Sequence, residues 1–440
     1  VIDLPWHGVH PLPILHDSAQ HVLHRATTAS RRRRSRAPTP ALPGLSAGLS
    51  QLRALRGSSL AFANRATRAD TRPVTAIYWF QHDLRLRDNP GLLAHSSAEQ
   101  LLLVYFWPRP PPWCNVTGLG PQRHRFLQES VLALQEDLAE YGQQLLVLKG
   151  SPQTLLPILV RAHDAQVVGT SRSPGYYERR TREQVAAALP VPLRVHGGNT
   201  LYDDEHMPFS ADNMPGTFTP FKNGLDGRPV STPVDAPKTL PPAPATRFEP
   251  LDHSAEPPHI GLPVRGGSRA GHRRLRQWTT QSQGIANYKE TRNCLDGLDG
   301  SSTLSPWLAV GCLSAREVAA SVHAFETSHT RNESTRWMLF ELLWREFFHW
   351  RALHNDIDLF RAGGTPGKLR RCTFEPRNFA RWCSGDTNYS LVNALMRQLL
   401  ATGWMSNRGR QIAASCLVNE YGIDWRYGAA FFETHLIDYD

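Results

Sequence analysis

The first half of the chain alternates short apolar runs with helical patterns. The runs have the length and composition of buried strands, and they read VTAIYWF, LLLVYF, QLLVLKG, AQVVG and PLRVHG. The clearest helix between them is RHRFLQESVLALQEDLAEYG. Because strands that alternate with helices form parallel sheets, the pattern predicts a doubly wound α/β domain. The first strand leads into QHDLRLRDNPGL, which lacks G-x-G-x-x-G, so this domain is not expected to be the main nucleotide site.

The second half of the chain has a different pattern. Between Arg228 and Pro263 there are ten prolines, which indicate an irregular connector between two domains. Beyond about Gly271 the chain has helical patterns with aromatic faces and is rich in tryptophan, so we predict an all-α domain. The predicted parts are a leader at 1–70, an α/β domain at 71–202, a connector at 203–270 and the helical domain at 271–440.

The net charge of +10 is concentrated near the N-terminus. The segment from Ser18 to Ala69 contains ten arginines and no acidic residue, whereas residues 70–440 contain 39 basic and 37 acidic residues. The global charge is therefore no indication of DNA binding. A leader rich in arginine, serine and alanine is typical of a chloroplast or mitochondrial transit peptide. The alternative is a solvated or nucleic-acid-binding arm on a nuclear or cytoplasmic protein.

The cysteines and apolar runs exclude other classes of protein. The six cysteines form no C-x-x-C pair and have no metal-like spacing with histidine, so we expect reduced thiols and no metal. No run approaches the roughly 18 apolar residues of a membrane span, so no membrane association is expected.

The segment SSTLSPWLAVGCLSAREV signals two helix starts. Ser305 is predicted to be the N-cap of the first helix, and Ser314 with Glu317 predicts a capping box for the second. Hydroxyl groups directly before the first helix could donate to phosphate oxygens near its N-terminus. They belong to Ser301, Ser302 and Thr303. The alternative is a plain capped turn.

The segment ELLWREFFHW places polar and aromatic side chains on one helix face. The face is formed at i, i+3, i+4 and i+7 by Glu341, Trp344, Arg345 and Phe348. A carboxylate and a guanidinium beside an indole could hydrogen-bond and stack a flat heteroaromatic ligand. The alternative is an ion pair between Glu341 and Arg345 on a helix whose rings form the core.

The segment TGWMSNRGRQIAAS repeats this arrangement. Its polar face contains Asn407, Arg410 and Gln411. The chain closes with LIDYD, where Asp438 and Asp440 lie side by side if the backbone is extended. We predict that Asp438 pairs with Arg410 and joins two distant helices. The alternative is two solvated carboxylates at a fraying end.

Together these segments resemble the photolyase/cryptochrome family and, within it, the DASH cryptochromes. The similar motifs are IYWFQHDLRLRDNPGL, NTLYDDEHMPF, MPGTFTPFKN, NYKETRN, SSTLSPWLAVGCLS, ELLWREFFHW, TGWMSNRGRQIAAS and FFETHLIDYD. They extend over essentially all of residues 74–440, and YKETRN with MSNRGRQ points to the DASH branch. The resemblance implies an α/β antenna domain followed by a helical domain that binds FAD.

The resemblance also implies the roles of individual residues. The FAD phosphates and ribose would face Tyr288, Ser301, Ser302, Thr303, Leu304 and Ser305. The flavin and adenine would be surrounded by Arg345, Asn407, Arg410, Asp438, Tyr439 and Asp440. A flipped-out pyrimidine dimer would be received by Glu341, Trp344, Asn407 and Gln411, with Arg292 at a DNA phosphate. Glu129 matches a position associated with a methenyltetrahydrofolate antenna.

The implied activity is light-driven repair of cyclobutane pyrimidine dimers, preferably in single-stranded DNA, by a monomeric enzyme. An excited reduced flavin gives an electron to the dimer, while the protein supplies position and charge. One alternative is a blue-light photoreceptor that keeps FAD without significant repair. Another is a flavin-free nucleic-acid-binding protein.

The sequence departs from the family at the three tryptophans that reduce the flavin. Trp425 matches the middle member, Cys372 stands at the distal position, and the innermost position is expected past Asp440. Trp382 is a candidate substitute. Thr303 stands where DASH members usually carry a basic residue, which predicts weaker phosphate binding.

Overall fold

A five-stranded parallel sheet organises the N-terminal part of the protein. The computed structural model describes residues 74–109, 114, 118–248, 257–297 and 300–440, so the leader predicted at 1–70 lies outside the described residues. The strands are β1 Thr75–Phe80, β2 Gln100–Phe106, β3 Leu145–Leu148, β4 Val167–Ser171 and β5 Leu193–His196. Their order is β3-β2-β1-β4-β5 and all neighbours are parallel, which confirms the predicted doubly wound sheet.

Helices cover both faces of this sheet, as parallel strands require. They are α1 Pro90–His95, α2 Pro121–Ala139, α3 Pro152–Ala162 and α4 Tyr176–Ala188. Successive residues of β1 belong to different cores because side chains alternate along a strand. Ile77 and Trp79 pack in a core with α3, whereas Tyr78 and Phe80 belong to a core that continues into the helical part of the chain.

The C-terminal part is helical, as predicted. Its α-helices are α5 Phe218–Gly224, α6 Ser268–Arg276, α7 Tyr288–Thr291, α8 Ser305–Ala309, α9 Ala315–Ser328, α10 Glu333–Asn355, α11 Pro376–Ser384, α12 Ser390–Thr402, α13 Asn407–Ser415 and α14 Trp425–His435. Short 3₁₀ helices lie at Asp204–His206, Gly284–Asn287 and Asp356–Phe360, and π-helical turns at Gln277–Gln281 and Cys416–Glu420. The predicted capping box of Ser314 and Glu317 is confirmed at the start of α9.

Buried polar contacts join the sheet to the helices. Arg316 of α9 binds the carboxylates of Asp88 and Asp203 at 2.8 Å each, and both Arg316 and Asp88 are buried. Glu346 of α10 is 1% exposed, and its Oε2 accepts the backbone N–H of Leu201 at 2.8 Å. Since a buried charge is costly unless it is paired, these contacts fix how the helices dock on the sheet domain.

Burial raises the pKa of Glu346 to about 7, although N–H donors and the nearby Arg345 favour the charged form. Its folded pKa therefore lies above the unfolded value of about 4.3. A carboxyl of this kind contributes most to stability below the unfolded pKa, and the contribution is lost as the pH rises through about 7. The net contribution of Glu346 to the stability of the fold is consequently largest in acidic solution.

We expect Glu346→Gln to flatten the pH dependence of stability. Between pH 5 and pH 8 the wild-type protein should lose about 2 kcal/mol more of its unfolding free energy than the variant, because the variant has no proton to release. Urea unfolding followed by circular dichroism measures this difference. Glu333→Gln, at an exposed position of the same helix, serves as the control and should follow the wild type. Parallel pH curves for wild type and Glu346→Gln would contradict the assignment.

Candidate functional site

Asp438 is the centre of the first cluster of candidate residues. Its side chain is 2% exposed, and its two oxygens accept N–H groups from Arg410 at 2.9 and 2.7 Å. The hydroxyl of Ser305 donates to Oδ2 at 2.6 Å. The predicted pair of Arg410 and Asp438 is confirmed, and it joins α8, α13 and the end of the chain.

Arg345 is the centre of a second cluster beside the first. Its guanidinium donates to Asp440 at 3.0 Å and to the backbone carbonyl oxygens of Asn199 at 2.7 Å and Leu308 at 3.5 Å. The alternative pairing of Arg345 with Glu341 is therefore wrong, because Arg345 donates instead to these two carbonyls and to the side chain of Asp440. Arg345 links α10 to both α8 and the sheet domain.

The C-terminal segment supplies both carboxylates from a turn. The backbone N–H of Tyr439 donates to the carbonyl of Leu436 at 3.4 Å. Asp438 and Asp440 bind different arginines, while the ring of Tyr439 lies 4.8 Å from the guanidinium carbon of Arg123 on α2. Burial and nearby carboxylates raise the pKa of Tyr439, so this phenol stays protonated.

The backbone at Ser301 and Ser302 is held by Arg274, a buried residue of α6. Arg274 donates from Nη2 to the carbonyl of Ser301 and from Nε to that of Ser302, each at 3.0 Å. Thr303 follows in the left-handed region with φ of 53°, which is unusual for a β-branched residue. Such local strain concentrates at functional sites, where the surroundings impose it.

The predicted N-cap at Ser305 is wrong. Leu304 precedes the first helical residue, and Ser305 already lies inside α8. Its hydroxyl donates to the buried carboxylate of Asp438 instead of capping a backbone N–H, because a charged acceptor binds a donor more strongly.

Tyr288, another predicted cofactor residue, is buried edge-on against Trp278, and burial raises the pKa of its phenol.

Glu341 is held by two donors on a single oxygen. Its Oε1 accepts from Arg292 Nη1 at 2.9 Å and from Trp337 Nε1 at 2.8 Å. Among the described residues, Oε2 has no hydrogen-bond partner, and the side chain is 31% exposed. The guanidinium of Arg292 also lies 4.5 Å from the centre of the Trp337 ring. The carboxylate is thus oriented by the protein through Oε1.

A chain of polar contacts connects this carboxylate to α13. Arg408 donates to Gln411 Oε1 at 2.7 Å and to Asn293 Oδ1 at 3.1 Å, and Asn293 follows Arg292 directly in the chain. Asn407 is exposed at the start of α13. Through Asn293 and Arg408, Arg292 and Glu341 are therefore linked to Gln411, whereas Trp344 lies outside this chain of polar contacts.

Trp344 takes part in an aromatic stack. Its ring lies parallel to that of Phe218 in α5, with centres 3.7 Å apart and an angle of 8°. Phe348 lies parallel to it with centres 5.7 Å apart. A base that stacks on the Phe218 side of Trp344 must displace Phe218.

Glu129, the predicted antenna residue, is engaged by the protein itself. Its Oε2 accepts from Arg125 at 2.9 Å and from the backbone N–H of Gly266 at 2.7 Å, and its Oε1 lies 3.4 Å from Arg265 Nη1. Glu129 therefore links α2 to the connector through hydrogen bonds.

The candidate electron-transfer residues lie at different depths. Trp425 is half-buried and donates from Nε1 to the carbonyl of Ala362 at 3.1 Å. Trp382 is fully buried among Phe379, Phe431 and other rings. Cys372 is exposed.

Sequence reasoning missed Arg274, which holds the segment before α8. The signal was available, because Arg274 lies beside Leu275 and three residues after Gly271 on the buried face of α6.

Within the described ranges, no group of three or more histidine, cysteine or acidic side chains could hold a metal ion. No helix of the described residues is long and apolar enough to cross a membrane.

Family comparisons match both parts of the chain. Residues 76–241 match the DNA photolyase family, and residues 337–440 match the FAD binding domain of DNA photolyase. Among solved structures, a cryptochrome from Synechocystis is similar with a TM-score of 0.79 and 36% identity, covering 84% of this chain and 80% of its own. A class III photolyase from Agrobacterium tumefaciens gives a TM-score of 0.71 and 25% identity, covering 86% of this chain and 79% of its own.

Curated relatives share much of the sequence. Cryptochrome DASH from Idiomarina loihiensis is 38% identical over 83% of this chain and 82% of its own length. The relative from Arabidopsis thaliana, named cryptochrome DASH, chloroplastic/mitochondrial, is 34% identical over 83% of this chain and 67% of its own length. The chain thus carries a photolyase-type sheet domain and an FAD-binding domain, and it belongs to the DASH cryptochromes of the DNA photolyase family.

Proposed function

We propose that the protein is a light-dependent FAD enzyme that repairs cyclobutane pyrimidine dimers, preferably in single-stranded DNA. The observation that carries this proposal is the free Oε2 of Glu341, in a carboxylate that Arg292 and Trp337 hold by the other oxygen. An oriented acceptor beside Trp344 suits a pyrimidine base, which needs both hydrogen bonding and stacking.

The donors around α8 suit the parts of FAD. Hydroxyl and guanidinium groups are the usual partners of phosphate and ribose oxygens, and the carboxylates of Asp438 and Asp440 already orient Arg410 and Arg345. The residues proposed to hold FAD are Tyr288, Ser301, Ser302, Thr303, Leu304, Ser305, Arg345, Asn407, Arg410, Asp438, Tyr439 and Asp440. When bound in its reduced form, FAD supplies a light-excited electron donor. The protein's own residues orient the base and keep the site dry.

The DNA contacts are proposed along the chain of polar contacts that links Glu341 to α13. Glu341 would accept N–H groups of the base, Asn407 and Gln411 would bind its other edge, and Arg292 would exchange part of its pairing with Glu341 for a phosphate. A single strand is favoured because residues 70–440 carry only 39 basic against 37 acidic residues. A nearly neutral body gains little from the dense phosphates of a duplex.

We further propose a methenyltetrahydrofolate antenna, Trp425 as a member of the electron route, a monomeric state, and location in a chloroplast or mitochondrion. Glu129 would meet the folate through Oε1, since Oε2 accepts N–H groups at 2.9 and 2.7 Å whereas Oε1 lies 3.4 Å from Arg265 Nη1. The organelle proposal is supported by the names of the Arabidopsis thaliana and Ostreococcus tauri relatives and by the composition of residues 1–70.

Two observations favour a second candidate, a blue-light photoreceptor without significant repair. Phe218 covers one face of Trp344, and Arg292 is engaged by Glu341 instead of facing outward. Both contacts close the dimer site without affecting the proposed FAD site. A photoreceptor would retain FAD and need no turnover at Glu341.

We expect Glu341→Gln to reduce dimer repair by about 10- to 100-fold, the value of one or two hydrogen bonds to a charged acceptor. The amide would keep its oxygen toward Arg292 and Trp337 and turn its NH₂ toward the base. Loss of dimers from an illuminated single-stranded oligonucleotide measures the effect, with flavin absorbance unchanged. Glu333→Gln, near the start of the same helix, is the control. Equal repair by wild type and Glu341→Gln would refute the assignment of Glu341, and no repair by either would favour the photoreceptor.

We expect Asp438→Asn to weaken FAD binding by at least about tenfold. The change removes the counter-charge of Arg410 and leaves a single amide oxygen where two carboxylate oxygens accept from Arg410 and Ser305. The ratio of flavin to protein after dialysis, and FAD titration of the apoprotein, give the measurement. Asp386→Asn removes an exposed carboxylate near Arg381 and should leave FAD binding unchanged. Full flavin retention by Asp438→Asn would place the cofactor elsewhere.

A further inference from the structure

Three arginines gather between α4 and the end of α10. Arg172 directly follows β4, and Arg179 and Arg182 lie one turn apart on α4. Arg172 donates to Asp204 at 2.8 Å, and Arg179 forms an ion pair with Asp356, which begins the 3₁₀ helix after α10. The group therefore bridges the sheet domain and the helical domain.

Arg182 has no acidic partner among the described residues. The neighbouring Glu183 pairs with Arg180 at 3.0 Å on the exposed side of the helix. Burial, and then the charges of Arg179 and Arg172, lowers the pKa of Arg182. Of the three guanidinium groups in this partly buried cluster, those of Arg172 and Arg179 are therefore paired with carboxylates and that of Arg182 is not.

Several buried nitrogen atoms of this cluster lack a hydrogen-bond partner in the part of the chain that the structure describes. They are Arg179 Nε, Arg182 Nη1 and His349 Nε2. His349 is 6% exposed, and burial together with Arg345 and Arg172 keeps its pKa well below the usual range. The guanidinium of Arg172 also lies over the ring of Trp350, 5.7 Å from its centre.

Unsatisfied buried donors are rare in folded proteins, and each one costs about 1 to 3 kcal/mol. Here two of them belong to arginines one turn apart on α4, and the third belongs to a histidine whose pKa the charge of Arg172 helps to lower. A tetrahedral anion with several oxygens offers acceptors to more than one guanidinium at once, and arginine suits phosphate through its planar array of donors. Such a ligand removes both the repulsion and the missing hydrogen bonds.

We propose that Arg172, Arg179, Arg182 and His349 form a binding site for a phosphate group at the junction of the two domains. The ligand is inorganic phosphate or the phosphate of a small metabolite such as a nucleotide. Its binding ties α4 to the end of α10 and so stabilises the docked arrangement of the domains. The site shares no residue with the proposed FAD site, and His349 lies one turn after Arg345 on α10.

The test is the thermal midpoint Tm of the FAD-loaded protein with and without inorganic phosphate, at ionic strength matched with sodium chloride. Phosphate should raise the wild-type Tm by about 2 to 4 °C, because a ligand that binds only the folded state stabilises it. Arg182→Met keeps the apolar stem and removes the charge. In phosphate-free buffer its Tm should equal or exceed that of the wild type, since repulsion is relieved, and phosphate should not raise it.

Arg180→Met is the matched control, because Arg180 is exposed on the same helix and pairs with Glu183. It should show the full wild-type response to phosphate. If Arg182→Met does not fold, Arg182→Lys replaces it and should lose at least half of the shift. A parallel titration with AMP distinguishes the sources: a response to AMP at lower concentration than to phosphate indicates a nucleotide. An equal Tm of the wild type in phosphate and chloride, or an undiminished shift in Arg182→Met, would overturn the proposal.

Discussion

The buried carboxylate of Asp438 determines the geometry of the candidate site. A charge that is 2% exposed is tolerated only when donors surround it, and here the donors come from Arg410 and Ser305. These residues lie on separate elements, α13 and α8, so the carboxylate fixes both relative to the end of the chain. Through Leu308 and Asp440 the same elements then position Arg345. The arginines proposed to surround FAD are oriented by the protein before any ligand arrives.

Buried charged groups with specific partners also lie at the junction between the helical domain and the sheet domain. Arg316 reaches from α9 to Asp88 and Asp203, and Glu346 accepts the backbone N–H of Leu201. Buried charges of this kind contribute little net stability, but a wrongly docked arrangement would leave each of them unpaired at a cost of several kcal/mol. They therefore select one relative position of the two domains, which is the condition for a site built from both.

Structural features that depend on local periodicity were predicted correctly from the sequence. The five strands, the long helix α2 and the capping box of Ser314 follow from patterns of two and 3.6 residues. Long-range pairing was predicted correctly for Arg410 and Asp438, where two unmatched opposite charges lay in helical and terminal segments. Local spacing failed where a tertiary partner was better than the neighbour. Ser305 bonds Asp438 instead of capping its helix, and Glu341 bonds Arg292 instead of Arg345.

The aromatic stack at Trp344 sets the energy balance for any base that enters the site. A base that stacks on the Phe218 side must replace Phe218, whose parallel contact with Trp344 is worth about 0.5 to 1.5 kcal/mol. Base stacking on an aromatic side chain returns about 1 to 3 kcal/mol. The exchange is close to balanced, so stacking alone does not discriminate a ligand from the side chain already present. In the proposed function, discrimination would depend on the free Oε2 of Glu341, because this oxygen can accept a charge-assisted hydrogen bond from a base and Phe218 cannot replace that bond.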